Sequence, residues 1–152
     1  MLNLLEIESP IELFKFDNNP GMKLMYFDAG IVAGTPEAIG EFEHITYDIN
    51  RDLIKNPAYT FFARIKTDNY SSEGIFNDDL LVIDKSLNCK DGSLALCMPE
   101  GKFILRRIKL IDDKICMVSY DKTQEDFIFD PNVFDLYYKM IFGFVTHSIR
   151  KL

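Results

Sequence analysis

The densest collection of chemistry-bearing side chains lies between Lys66 and Asp84, in the run Lys-Thr-Asp-Asn-Tyr-Ser-Ser-Glu-Gly-Ile-Phe-Asn-Asp-Asp-Leu-Leu-Val-Ile-Asp. A serine hydroxyl attacks a carbonyl only when a base takes its proton. Ser71 and Ser72 supply hydroxyls, with Lys66, Lys102 and Lys109 as the lysines that could serve them; the plainer reading is two solvent-facing loop serines. Asn69 carries a carboxamide, which has no hydroxyl to ionise and cannot be an acyl-transfer nucleophile. His44 and His147 have no cysteine or acid beside them at ligand spacing, so they read as surface or hydrogen-bonded structural residues, and neither metal nor cofactor is expected. Asp78, Asp79, Asp84 and Asp91 read as turn chemistry and strand ends rather than as a catalytic carboxylate pair.

These residues need a scaffold, and the pattern around them is that of strands. Phe61 to Ile65 reads as a strand entering the polar loop, Gly74 as its turn, and Leu80 as the start of a buried strand. Downstream, Lys90-Asp91-Gly92 turns into Ser93–Met98, Pro99-Glu100-Gly101 makes a tight hairpin into Lys102–Leu110, and Asp112-Asp113 turns into Lys114–Tyr120. Phe127 and Phe129 alternate within Gln124–Asp130, the mark of a half-buried strand. Val133 to Ile149 suits helix or strand by spacing alone. Upstream, Asn50 is placed to cap a short helix, Arg51–Lys55, that must stop before Pro57. Met1 to about Phe27 reads as an arm or edge segment interrupted by Asn18-Asn19-Pro20-Gly21.

With 152 residues, 47% of them hydrophobic, the chain suffices for one domain with a real core. A net charge of −7 argues against a general nucleic-acid surface, because phosphate neutralisation needs clustered Lys and Arg. Arg106, Arg107 and Lys109 form the nearest thing to a basic patch and read as the outer face of a strand. Cys89, Cys97 and Cys116 have neither zinc spacing nor an even count, which predicts buried thiols in a reducing compartment. No window reaches the roughly 18 to 20 apolar residues of a membrane span, so a cytoplasmic location is expected.

The loop and its flanking strands resemble the catalytic loop of the LexA/UmuD family of self-cleaving serine peptidases, in which Gly-Asp-Ser-Met precedes a Gly-Ile turn and an Asp-Leu-Leu-x-x-Asp strand. Asp68, Gly74, Ile75, Asp79, Leu80, Leu81 and Asp84 fall in register with it. So do Asp48-Ile-Asn50 with Leu53-Ile54-Lys55-Asn56-Pro57, and Phe142-Gly143-Phe144-Val145-Thr146-His147, which decides for a closing strand from about Met140. The resemblance implies a mostly β domain of short twisted strands and hairpins over residues 33–152, preceded by an N-terminal arm, residues 1–32. It also implies a cleavage-site equivalent at Ala33-Gly34, followed by Pro36. The family nucleophile position falls on Asn69, with Asp68 and Tyr70 at its flanks.

The family's general base, a lysine in a Phe-x-Val-Lys-Lys-Leu-like strand, falls on Arg106 within Phe103–Ile108. An arginine cannot be deprotonated in a protein, so both dyad positions are substituted, and Arg106 is expected to donate to the Asn69 amide oxygen. The resemblance thus implies a catalytically silent UmuD-like protein that dimerises, with itself or with an active UmuD- or LexA-like subunit. It would act in the bacterial SOS response beside RecA filaments and an error-prone polymerase of translesion synthesis. Two alternatives stand: an active autopeptidase cutting Ala33-Gly34 with displaced Ser71 or Ser72, although even about 1 Å of misplacement is costly; and the C-terminal domain of a LexA-like repressor, against which the short arm counts.

Overall fold

In the computed structural model the backbone is described for residues 10–15, 24–27, 44–47 and 49–152, and side chains within 10–15 and 51–152. Two compact units result, one formed by residues 1–16 and 58–152 and the other by residues 17–57. In the smaller unit, β2 (Leu24–Phe27) pairs antiparallel with β3 (His44–Tyr47), and α1 spans Ile49–Leu53. Asn50 therefore lies inside the helix rather than capping it. The stop before Pro57 holds, because a proline disfavours helical backbone in the residue ahead of it.

The larger unit is an eight-stranded antiparallel sheet, in keeping with the expected mostly β domain of short strands and hairpins. Its members are β1 (Ile11–Lys15), β4 (Thr60–Ile65), β5 (Leu80–Asp84), β6 (Leu94–Cys97), β7 (Ile104–Ile111), β8 (Lys114–Val118), β9 (Phe127–Phe129) and β10 (Ile141–Ile149). Their spatial order is β1-β4-β5-β10-β6-β7-β8-β9. β10, last in sequence, thus sits in the middle, bonded to β5 on one side and β6 on the other. The ambiguous stretch resolves into both elements: a helical turn, α2 (Leu136–Met140), runs directly into β10.

Central strands are covered on both faces, which explains their near-continuous apolar character. Along β6, Leu94 and Leu96 join one buried cluster with Ile65, Leu81, Ile83 and Leu105, while Ala95 and Cys97 join a second with Ile108, Met117 and Phe144. β9 shows the edge pattern instead: Phe129 is buried and Ile128 is exposed, as the Phe127/Phe129 alternation predicts. The β7–β8 hairpin turns on Asp112 and Asp113, both with positive φ (47° and 63°), the backbone sign that a tight two-residue hairpin requires. Pro99–Gly101, predicted as a tight hairpin, does link the antiparallel strands β6 and β7, as a 3-10 turn within their connection.

Candidate functional site

The Lys66–Asp84 loop is held at both ends by charge-assisted bonds. Asp79 is fully buried and accepts two parallel bonds from Arg150, Nε to Oδ1 and Nη2 to Oδ2, each 2.7 Å, and a third from the Phe76 amide at 2.9 Å. Arg150 Nη2 also donates to the Gly74 carbonyl at 2.9 Å, and the guanidinium stacks 4.3 Å from the Phe76 ring. Such a fork is worth more than a single contact because both partners are fixed in plane. The Arg150 bonds hold the Asp79 carboxyl below its usual range. Nearer the entrance, Arg107 donates to Glu73 and to the Gly92 carbonyl, tying the loop to β7. Lys66 pairs with Asp78 at 2.9 Å.

Within this frame the loop makes a 3-10 turn, Ser71–Glu73, closed by Gly74 at φ 75°. That left-handed backbone costs glycine nothing and a β-carbon about 1 kcal/mol or more. Tyr70 points inward: it is buried, its ring packs edge-on against Tyr120 at 4.7 Å, and its hydroxyl accepts from the Leu105 amide at 3.4 Å. Burial pushes the Tyr70 phenol up to about 12. Asn69 points the other way, exposed, its backbone N–H donating to Thr67 Oγ1 at 3.2 Å. Asn69, Ser72, Tyr120, Asp121, Lys122 and Gln124 line one pocket of about 480 Å³.

Arg106 departs from expectation twice. It is only 3% exposed, not on an outer face. Two consecutive residues of a strand point to opposite sides, so Arg106 and Arg107 cannot both face water. Its guanidinium lies 5.7 Å from the Tyr120 ring and 5.9 Å from that of Phe127, and Nη2 donates to Gln124 Oε1 at 3.0 Å. Nε and Nη1 are buried without an acceptor. The predicted bond to Asn69 is therefore not made, because Gln124 takes the cation instead. Gln124 belongs to the same pocket as Asn69, so the acceptor of Arg106 and Asn69 share one pocket wall. Gln124 and Tyr120 carried no signal in the sequence beyond their places at a strand and its approach.

Ser71 and Ser72 are both exposed, and only Ser72 lines the pocket. Of the lysines considered as bases, Lys66 has its ammonium held by Asp78, which raises it above the usual range and keeps its proton on. Lys102 and Lys109 are exposed. Ala33, Gly34, Pro36 and the His44 side chain lie outside the described residues. His147 is exposed and meets its neighbour Thr146 at 3.0 Å. Among the described residues no cluster of three His, Cys, Asp or Glu is arranged for a metal. Cys97 and Cys116 are buried and Cys89 half-buried, and burial pushes the Cys97 thiol up to about 12.

The Peptidase S24-like family description matches residues 25–143. The chain belongs to that family. Within it, the chain is 28% identical over 119 residues to protein ImpA of Shigella flexneri, covering 78% of each chain. Protein MucA of Escherichia coli is 27% identical over 119 residues, 78% of this chain and 79% of that one. The LexA repressor of Dechloromonas aromatica is 23% identical over 123 residues, 80% of this chain and 61% of the repressor. The matched span, residues 25–143, includes the Asn69 loop and the Arg106 strand. Among the described residues no helix is long and apolar enough to cross a membrane.

Proposed function

We propose that this chain is a catalytically silent UmuD-like member of the peptidase S24-like family, acting by dimerisation and protein binding in the bacterial SOS response. Supporting this reading above all is Arg106: where the family resemblance asks for a lysine that can lose its proton, a permanent cation lies buried against Tyr120 and Phe127 with Gln124 as its acceptor. Asn69 adds the second loss, since no proton transfer can make a carboxamide attack a peptide carbonyl. The pocket still presents amides from Asn69 and Gln124, groups suited to holding an extended backbone without cutting it. Its occupant is a segment of the Ala33-Gly34 type supplied by another chain, an active UmuD- or LexA-like subunit. A homodimer or mixed dimer, cytoplasmic and beside RecA filaments or an error-prone polymerase, is the setting that follows.

Displaced catalysis keeps one favourable observation, because Ser72 shares the pocket with Asn69 and with Lys122. Lys122 is exposed, whereas a lysine base of this kind is freed of its proton by burial. The deciding experiment is incubation of the purified chain between pH 7 and about 10 with fragments read by mass spectrometry. No fragment is expected from the natural chain. An Asn69→Ser/Arg106→Lys variant, which puts a hydroxyl on the pocket wall and a buried amine behind Gln124, is expected to gain cleavage before Gly34. A fragment beginning at Gly34 from the natural chain, lost in Ser72→Ala, overturns the proposal.

A further inference from the structure

A second cavity, of about 370 Å³, opens where β1, the start of β10 and α2 come together, away from the Asn69 pocket. Its walls are aromatic and fixed by one another. Phe61 meets Phe142 edge-on at 5.0 Å and Tyr137 meets Tyr138 at 5.4 Å, while Phe103, behind the lining, backs Phe142 at 5.5 Å. Tyr59 and Tyr138 on the rim are 55% and 75% exposed, large amphipathic surfaces of the type enriched in protein interfaces. Among the described residues, the only charged ones lining it are Lys15 and Lys85.

Lys85 is placed by the fold: its amide donates to the Tyr59 carbonyl at 2.9 Å, and its ammonium stands 4.4 Å from the Phe142 ring centre and 5.7 Å from that of Phe61. Among the described residues no carboxylate pairs with either lysine, in a chain with 24 Asp and Glu against 17 Lys and Arg. An aromatic box carrying a local positive charge within an acidic protein selects a ligand of opposite charge with an apolar body. The lip of exposed tyrosines extends the contact beyond what a small molecule would cover.

We infer that this cavity is a docking site for a segment of a partner protein in which an aromatic side chain stands next to carboxylates, the ring entering between Phe142 and Tyr138 and the carboxylates meeting Lys85 and Lys15. The assignment is independent of whether the Asn69 pocket cuts or holds its own segment.

The test is an amide-resonance titration of the full chain with the blocked tetrapeptide acetyl-Asp-Phe-Glu-Leu-amide. Saturable shifts are expected around Lys85, Tyr138 and Phe142. The Asn/Gln analogue should bind about fivefold or more weakly, the scale of one partly shielded charge contact. Lys85→Met should give the same loss and Lys85→Arg should restore binding; the side chain is exposed, and unchanged spectral dispersion verifies each fold. Three results overturn the assignment: no saturable shifts up to millimolar peptide, equal binding by Lys85→Met, or a short oligodeoxythymidylate saturating the same residues at equal or lower concentration.

Discussion

Arg106 is the side chain whose energetics are least comfortable. A buried guanidinium needs acceptors for its donors, and here one amide oxygen and two aromatic faces stand in for a carboxylate. Replacing a buried charge of this kind by an apolar side chain of similar length is often neutral or stabilising. Arg106→Met is therefore expected to leave the thermal midpoint unchanged or to raise it, measured by circular dichroism; a large drop would mean that the cation is a net support. Tyr70 has the opposite character, because its hydroxyl answers a backbone amide. Tyr70→Phe should cost about 0.5–1.5 kcal/mol in urea unfolding. Its phenol titrates near 12 rather than near 10. The native state therefore holds a proton that the unfolded chain releases, and stability present below pH 10 is lost as the pH climbs toward 12. Alkaline assays of cleavage accordingly belong below about pH 10.

At the scale of elements, the loop depends on β10 and its continuation. Asp79 and Arg150 are 71 residues apart in sequence, and no local pattern joins an acid in a turn to a cation beyond the last strand. That separation is why Asp79 read as turn chemistry and as a position of the family loop, with no partner in view. Other parts were legible: β5 and β9 from their apolar patterns, the helical stop before Pro57, and the closing strand from Phe142-Gly143-Phe144. The burial of Arg106 was within reach of simple strand parity, but the neighbouring Arg107 and Lys109 made a solvated face look sufficient. The Asp79 carboxyl sits below its ordinary value because of Arg150. Its contribution is complete above about pH 4, the unfolded value, and disappears as the pH falls through the lower native one. Urea midpoints should fall on acidification below about pH 4, and Asp79→Asn should flatten that slope while lowering stability at neutral pH. Gly143 marks a second dependence: a β-carbon there would stand 2.8 Å from Ile83 Cγ2 and 3.2 Å from the Asp84 carbonyl. Gly143→Ala is expected to cost roughly 1–3 kcal/mol by overpacking, read from the same unfolding curves.

At the scale of the whole molecule, the larger unit is one sheet buried on both sides at its centre, so stability concentrates there rather than at the edges. Leu96 is fully buried on β6, and Leu96→Ala should cost roughly 2–5 kcal/mol. In a protein of this size each kcal/mol corresponds to about 2–4 °C in thermal midpoint, so the variant should melt well below the parent. Ile128, exposed on the edge strand β9, provides the contrast: Ile128→Thr should stay within about 0.5 kcal/mol. The middle placement of β10 also governs how the chain is made. A ribosome delivers β5 and β6 long before β10 exists, yet the two are not bonded to each other and await the same late arrival. Until then the nascent polypeptide carries two half-sheets with bare inner margins, the kind of surface that recruits chaperones or clumps with its neighbours. Messages broken before the codon for Ile141 should accordingly yield insoluble product, separable from the intact protein by simple centrifugation.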